Sequence, residues 1–149
     1  MFEEGNIIYF TPFYFKNGNP AKPKYFVVLK NENDINVLAS LPTRKDSVPE
    51  KNVIENGCIE LPEINLNCFV ISNQIQVTEC GKSFDFKTHI YGHQIDIYEV
   101  DFLKEIYPIE NTDYEVWGKM KSEIFEALID CLKTSRSVKQ KFKKILGKV

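Results

Sequence analysis

Two short basic segments hold the residues of this chain best suited to chemistry. Lys22 and Lys24 come directly before an apolar run, and Thr43, Arg44 and Lys45 come directly after a second one. Several cations beside a hydroxyl group suit the binding of a phosphate, and they can stabilise negative charge that develops during phosphoryl transfer. The alternative is that these cations only flank strands, where they keep edges soluble.

The flanking runs predict two strands of an antiparallel hairpin. Residues 25–29 and 35–41 are apolar and rich in β-branched side chains, and polar residues 31–34 join them. In such a hairpin the start of one strand lies beside the end of the next. We therefore expect Lys24 and Thr43 to be neighbours in space, with Arg44 close by.

An aromatic loop precedes the hairpin. Phe13, Tyr14 and Phe15 lie next to turn-forming residues 17–20. These rings either fill the core or form a surface on which the bases of an RNA stack.

The remaining pattern predicts an α+β fold that is mainly β. Further strands are expected at residues 7–10, 58–61, 68–71, 75–78 and 95–98. Short strands at close spacing favour a small barrel or a strongly curved sheet. Helices are expected near residues 100–107, from a capping box at Thr112 to Leu132, and after Ser137.

Length and charge predict one domain with an uneven charge distribution. The 149 residues suit a single domain, strand-rich over residues 1–100 and helical over 101–149. Residues 133–149 hold seven basic side chains and no acid, which leaves 12 basic and 21 acidic side chains in residues 1–132. This basic end either contacts an anionic partner or folds back on the acidic body.

Cysteine, histidine and hydropathy patterns argue against a metalloprotein, a secreted protein and a membrane-spanning protein. The four cysteines form no CxxC pair and are expected to be buried fillers in a reducing cytosol, and His89 and His93 lie in a strand and turn. We therefore expect no metal and no cofactor. The acidic N-terminus and the lack of a long apolar run predict a cytoplasmic protein that does not span a membrane.

Three segments resemble the MazF/PemK-like toxins of type II toxin–antitoxin systems. Residues 5–10, GNIIYF, resemble the opening strand of that family. Residues 22–29, KPKYFVVL, resemble its basic, proline-containing entry to the second strand, and residues 37–43, VLASLPT, resemble its third strand.

This resemblance implies a small SH3-like or CcdB-like barrel with a C-terminal helix, usually dimeric. It implies a metal-independent endoribonuclease that an antitoxin protein neutralises. Thr43 matches the family's active-site threonine, whereas Lys24 stands where the family has an arginine and lacks its planar fork. Arg44, in place of a family serine, is a candidate to supply the missing guanidinium.

Three readings follow from the sequence. In the first, Lys24, Thr43 and Arg44 act on RNA held by Lys22, Lys45 and the aromatic loop. In the second, the same fold binds nucleic acid or a protein without catalysis, through its basic C-terminal end. In the third, the protein is a structural interaction protein, and the cations are solvent-exposed side chains without a functional role.

Overall fold

A computed structural model describes residues 1–148. Its strands are β1 (Asn6–Phe13), β2 (Lys22–Glu32), β3 (Asn36–Ser40), β4 (Gly57–Leu61), β5 (Leu66–Ile71), β6 (Thr88–Tyr91), β7 (Ile95–Glu99) and β8 (Tyr114–Lys119). Its helices are α1 (Val100–Ile106), α2 (Ser122–Lys133) and α3 (Gln140–Leu146), and single 3-10 turns lie at Glu50–Asn52, Pro62–Ile64 and Gly92–Gln94.

The strands form two antiparallel sheets. The larger has the order β7-β3-β2-β1-β8 and the smaller the order β4-β5-β6. The prediction of an α+β fold that is mainly β is therefore confirmed, whereas the described residues form no closed barrel.

The middle of each central strand of the larger sheet carries buried apolar residues at successive positions, such as Ile7-Ile8 in β1 and residues 26–29 in β2, because both faces of this sheet are covered. Along β1, Ile7 points into a core shared with α2, α3 and the smaller sheet. Its neighbour Ile8 points into a second core on the opposite face, which includes Val100 and Leu103 of α1. Successive side chains of a strand alternate between faces, so a strand between two cores needs apolar residues at every position.

The helix predicted from Thr112 is wrong over its first part. Residues 114–119 form β8, which pairs with β1, and the helix α2 begins only at Ser122. Instead of capping a helix, Asp113 closes a turn, because its Oδ2 accepts a hydrogen bond of 2.9 Å from the Ile109 amide. The strand predicted at residues 75–78 is also wrong, since only an isolated bridge from Thr78 to Met120 forms there.

The prediction that the cysteines are buried fillers is correct only for Cys68. Cys58 of β4 and Cys131 of α2 form a disulfide across 73 residues, and Cys80 is exposed. The disulfide therefore ties α2 to the smaller sheet.

Candidate functional site

The structure brings Lys24 and Thr43 to the same end of the β2–β3 pair, where both residues line the same two cavities. The ladder of these strands reaches Val27 and Ser40, and Lys24 and Thr43 lie three residues beyond that pair along their chains. The Lys24 Nζ donates a hydrogen bond of 2.8 Å to the Pro42 carbonyl. Lys22, Lys24 and Thr43 together separate two cavities, and we call these three residues the lysine ridge.

The Lys24 amine is half-buried, and this environment changes its acidity. Burial, with a smaller contribution from the positive charge of Lys22, lowers the pKa of Lys24 to about 8. An ammonium group has three hydrogens, so two remain for a ligand after the bond to Pro42. A partly desolvated amine binds an anion more strongly than a solvated one, because less water must be removed.

Thr43 is held where the chain crosses from the larger sheet to the smaller one. Its amide donates to the His89 carbonyl at 2.9 Å, and the His89 amide donates to the Thr43 carbonyl at 2.6 Å. The Thr43 Oγ1 accepts a hydrogen bond of 3.2 Å from the Lys45 amide. This bond does not use the hydroxyl hydrogen, which stays available to a phosphate oxygen.

The first cavity, of about 710 Å³, lies between the lysine ridge and the loop that follows β1. Besides the ridge, Lys16 and Lys45 line it, together with the single acid Asp96. Lys16 pairs with Asp96 at 3.1 Å and lies 4.2 Å from the centre of the Tyr98 ring. The lining therefore carries a clear excess of positive charge, which favours an anionic ligand.

The second cavity, of about 400 Å³, lies on the other side of the ridge. Arg44 lines this cavity and not the first one, and its guanidinium carbon lies 4.8 Å from the centre of the Phe86 ring. The predicted site residues are thus divided: Arg44 faces one cavity and Lys45 the other, with Lys24 and Thr43 between them.

The three aromatic residues after β1 have different environments. Phe13 is 2% exposed and belongs to the core, although it also lines the first cavity. Phe15 is half-buried in the wall of that cavity. Tyr14 is 57% exposed, lines neither cavity and stacks on Tyr107 with 6.0 Å between ring centres.

The loop after Thr43 is fixed by residues of β6. The Tyr91 hydroxyl donates to the Lys45 carbonyl at 2.7 Å and accepts from the Ser47 amide at 2.8 Å. His89 Nε2 lies 3.7 Å from an Asp46 carboxylate oxygen, and burial lowers the pKa of His89 although Asp46 opposes that shift. His89 therefore supports the loop after Thr43 through Asp46 and through its backbone hydrogen bonds to Thr43.

The basic C-terminal end packs on the body of the protein. The apolar face of α3, with Phe142, Ile145 and Leu146, is buried in the core that contains Leu29. Lys148 forms an ion pair with Glu32 at 2.8 Å. The three lysines of α3 flank this apolar face, so the end is a packed helix with a cationic outer surface.

Sequence reasoning missed several residues of both cavities. Lys16, His93 and Asp96 line the first cavity, and Tyr9, Asp85 and Phe86 line the second. Tyr9 reaches the second cavity through its pairing with Tyr25 in the β1–β2 ladder, a register that the sequence did not predict. Phe86 lies in an irregular segment with no periodicity, so no local signal placed it there.

No family model matches the chain, and a search among curated proteins finds no match. Over residues 1–148, no helix combines the length and apolarity needed to cross a membrane. The function is therefore inferred from the geometry of the lysine ridge.

Proposed function

We propose that this protein is a toxin-like endoribonuclease that binds single-stranded RNA across the lysine ridge and cleaves it without a metal ion. One observation carries the proposal: the half-buried Lys24 amine, with a pKa of about 8, and Thr43 line the same two cavities. The ridge offers a phosphate both a cation and a hydroxyl donor, and the cavities offer room for the nucleotides on either side. The likeness of three segments to the MazF/PemK-like toxins supports the same reading.

In the proposed reaction, the 2′-oxygen of one ribose attacks the adjacent phosphorus. The bond from phosphorus to the 5′-oxygen of the next nucleotide breaks, which gives a 2′,3′-cyclic phosphate and a 5′-hydroxyl. The attacking hydroxyl loses one proton and the leaving oxygen gains one, so the step needs no further reactant. The Lys24 ammonium and the Thr43 hydroxyl stabilise the charge that builds on the phosphate oxygens.

In the same proposal the protein is a cytoplasmic dimer with an SH3-like or CcdB-like core, and an antitoxin protein inhibits it. These features come from the family likeness alone. An antitoxin that covers the lysine ridge would present carboxylates to Lys22 and Lys24, as an RNA presents phosphates.

Growth on induction tests the cellular part of the proposal. We expect expression in a bacterial host to arrest growth, Thr43→Ala to relieve the arrest, and Thr43→Ser, which keeps the hydroxyl, to retain it. Arg44→Ala tests whether this guanidinium contributes. Unimpaired growth at high levels of folded wild-type protein would argue against a toxin.

A second candidate is a module that binds RNA without cleaving it. Two observations favour it: the fork-shaped guanidinium of Arg44 is stacked on Phe86 in the second cavity, and the ridge itself holds only lysines and a threonine. RNA that binds with an affinity dependent on Lys24 and is recovered intact supports this candidate over the nuclease.

A further inference from the structure

The second cavity has features that phosphate binding alone does not explain. Phe86 is 56% exposed, although a side chain of this type is usually buried. The Thr88 hydroxyl fixes its backbone by donating a hydrogen bond of 2.8 Å to the Phe86 carbonyl. An exposed aromatic ring on a fixed backbone suits the stacking of a planar ligand.

The cavity wall extends this aromatic surface. The rings of Tyr9 and Tyr25 lie 4.8 Å apart, and the ring of Phe84 meets Tyr25 edge-on at 5.0 Å. The exposed Arg44 places its guanidinium carbon 4.8 Å from the centre of the Phe86 ring, and a guanidinium group stacks readily on planar ligands. The volume of about 400 Å³ is at the lower end for ligand sites and suits one small planar group.

Asp85 gives this aromatic cavity a specific polar group. Among the described residues that line the cavity, it is the one acid, and it shares the lining with Lys22, Lys24 and Arg44. Tyr25 lines the same cavity, and burial raises its pKa, with smaller contributions from the charges of Tyr9 and Asp85. A carboxylate accepts hydrogen bonds and cannot donate them, so it selects a partner that presents N–H groups.

We infer that the second cavity is a nucleobase subsite that prefers a base with an exocyclic amino group over uracil. The inference rests on the proposed function, since the lysine ridge would hold the phosphate that joins this nucleotide to the next. The base stacks against Phe86 and Arg44, and its amino group donates to Asp85. Uracil places a carbonyl oxygen where cytosine has its amino group, so its acceptor faces the carboxylate and is disfavoured.

Cytosine and uracil oligomers give the sharpest comparison, because the two bases have the same size and differ only on one edge. Cytosine has an amino group at C4 and an acceptor nitrogen at N3, whereas uracil has a carbonyl at C4 and an N–H at N3, so the test reads the position at C4 that faces Asp85. We expect wild-type protein to bind a fluorescent 12-nucleotide oligocytidylate about 10-fold more tightly than oligouridylate at one fixed salt concentration, the scale of a hydrogen bond to a charged group. Asp85→Asn should reduce this preference to about 2-fold or less, because an amide both donates and accepts.

Two controls separate base reading from charge and folding. Asp85→Asn also removes a negative charge, which strengthens the binding of both oligomers, so the readout is the ratio of the two affinities. Asp101→Asn on the exposed side of α1 removes a charge elsewhere and should leave that ratio unchanged. Phe86→Ala should weaken binding of both oligomers about 10-fold, whereas Phe86→Tyr should keep most of the affinity.

The outcomes distinguish this inference from the function on which it rests. If wild type binds both oligomers equally and Lys24→Met weakens both, the RNA site stands and the base preference is refuted. If wild type binds neither oligomer, the proposed function and this inference are both refuted. A preference for cytosine that Asp85→Asn leaves intact refutes the role of Asp85.

Discussion

Replacing Lys24 by methionine separates the cost of burying this amine from its role in binding. Methionine keeps the length and apolar character of the lysine stem but carries no charge. Without any screening by solvent, a pKa lowered from 10.5 to about 8 corresponds to a destabilisation of the folded state by about 3 kcal/mol at pH 7. Because Lys24 is only half-buried, screening by solvent reduces this to about 1 kcal/mol.

The substitution also removes the hydrogen bond of 2.8 Å to the Pro42 carbonyl. Such a bond contributes about 1 kcal/mol, which offsets the relief from desolvation. We therefore expect the free energy of unfolding of Lys24→Met at pH 7 to stay within about 1 kcal/mol of the wild-type value.

The difference between the two proteins should depend on pH. Between about pH 8 and pH 10.5 the unfolded wild-type chain keeps a proton at Lys24 that the folded protein has lost. The unfolded state then binds more protons, so wild-type stability rises with pH relative to the variant. From pH 7 to pH 10, urea unfolding should show the free energy of unfolding of wild type rising by about 1 kcal/mol relative to Lys24→Met, once the same screening by solvent is included.

Lys104→Met provides the matched control, because Lys104 is exposed on α1 and lies outside both cavities. Its unfolding free energy should change with pH in parallel with wild type. If Lys24→Met also runs parallel to wild type between pH 7 and pH 10, Lys24 is not desolvated and its pKa is not lowered.

Because the Lys24 ammonium contacts the RNA phosphate in the proposed complex, Lys24→Met should also weaken RNA binding about 10-fold. For the same reason, wild-type binding should weaken as the pH rises through about 8.

Three further predictions concern the scaffold. Reducing the Cys58–Cys131 disulfide, or Cys58→Ser, should lower the free energy of unfolding by about 4 kcal/mol, because the unfolded chain is then no longer cross-linked across 73 residues. An unchanged urea midpoint under reductant would contradict this. Burial lowers the pKa of His89, so stability should fall as the pH drops below about 6.5, and His89→Gln should flatten that fall in urea unfolding at pH 7 and pH 5. Gly92→Ala places a Cβ 2.6 Å from the Asn67 Oδ1, so thermal unfolding should show a loss of about 2 kcal/mol, and a wild-type midpoint would show that Asn67 moves aside freely.

The hairpin and its cations could be predicted because the signals were local. The β2–β3 hairpin follows from two apolar runs with a polar turn, and its antiparallel direction brings Lys24 and Thr43 to the same end of the strand pair. Both cavities border this pair, so the predicted neighbours do lie at one place in the fold.

The strand β8 could not be predicted by periodicity because a strand and a helix meet within one apolar pattern. Trp117 and Met120 have helical spacing with the residues of α2, yet Trp117 packs against Phe84 from a strand. Gly118 was the available signal: a Cβ there would lie 2.8 Å from the Thr78 Cγ2, a close approach typical of glycine in a strand.

Long-range pairings account for what else the sequence left open. The disulfide joins residues 73 apart, and no spacing rule selects Cys131 as the partner of Cys58. Likewise, the approach of Phe86 to Arg44 depends on the path of an irregular segment between the two sheets. The residues that distinguish one cavity from the other were therefore visible only in three dimensions.

An in vitro cleavage assay shows whether the lysine ridge cleaves RNA without a metal ion, as proposed. Purified protein is incubated with a labelled single-stranded RNA in excess EDTA, and the product ends are identified by mass spectrometry. We predict fragments with 2′,3′-cyclic phosphate and 5′-hydroxyl ends from wild type and Lys104→Met, with cleavage strongly reduced in Lys24→Met and Thr43→Ala. RNA that stays intact with folded wild-type protein, or cleavage that is equally fast in Lys24→Met, would contradict this claim.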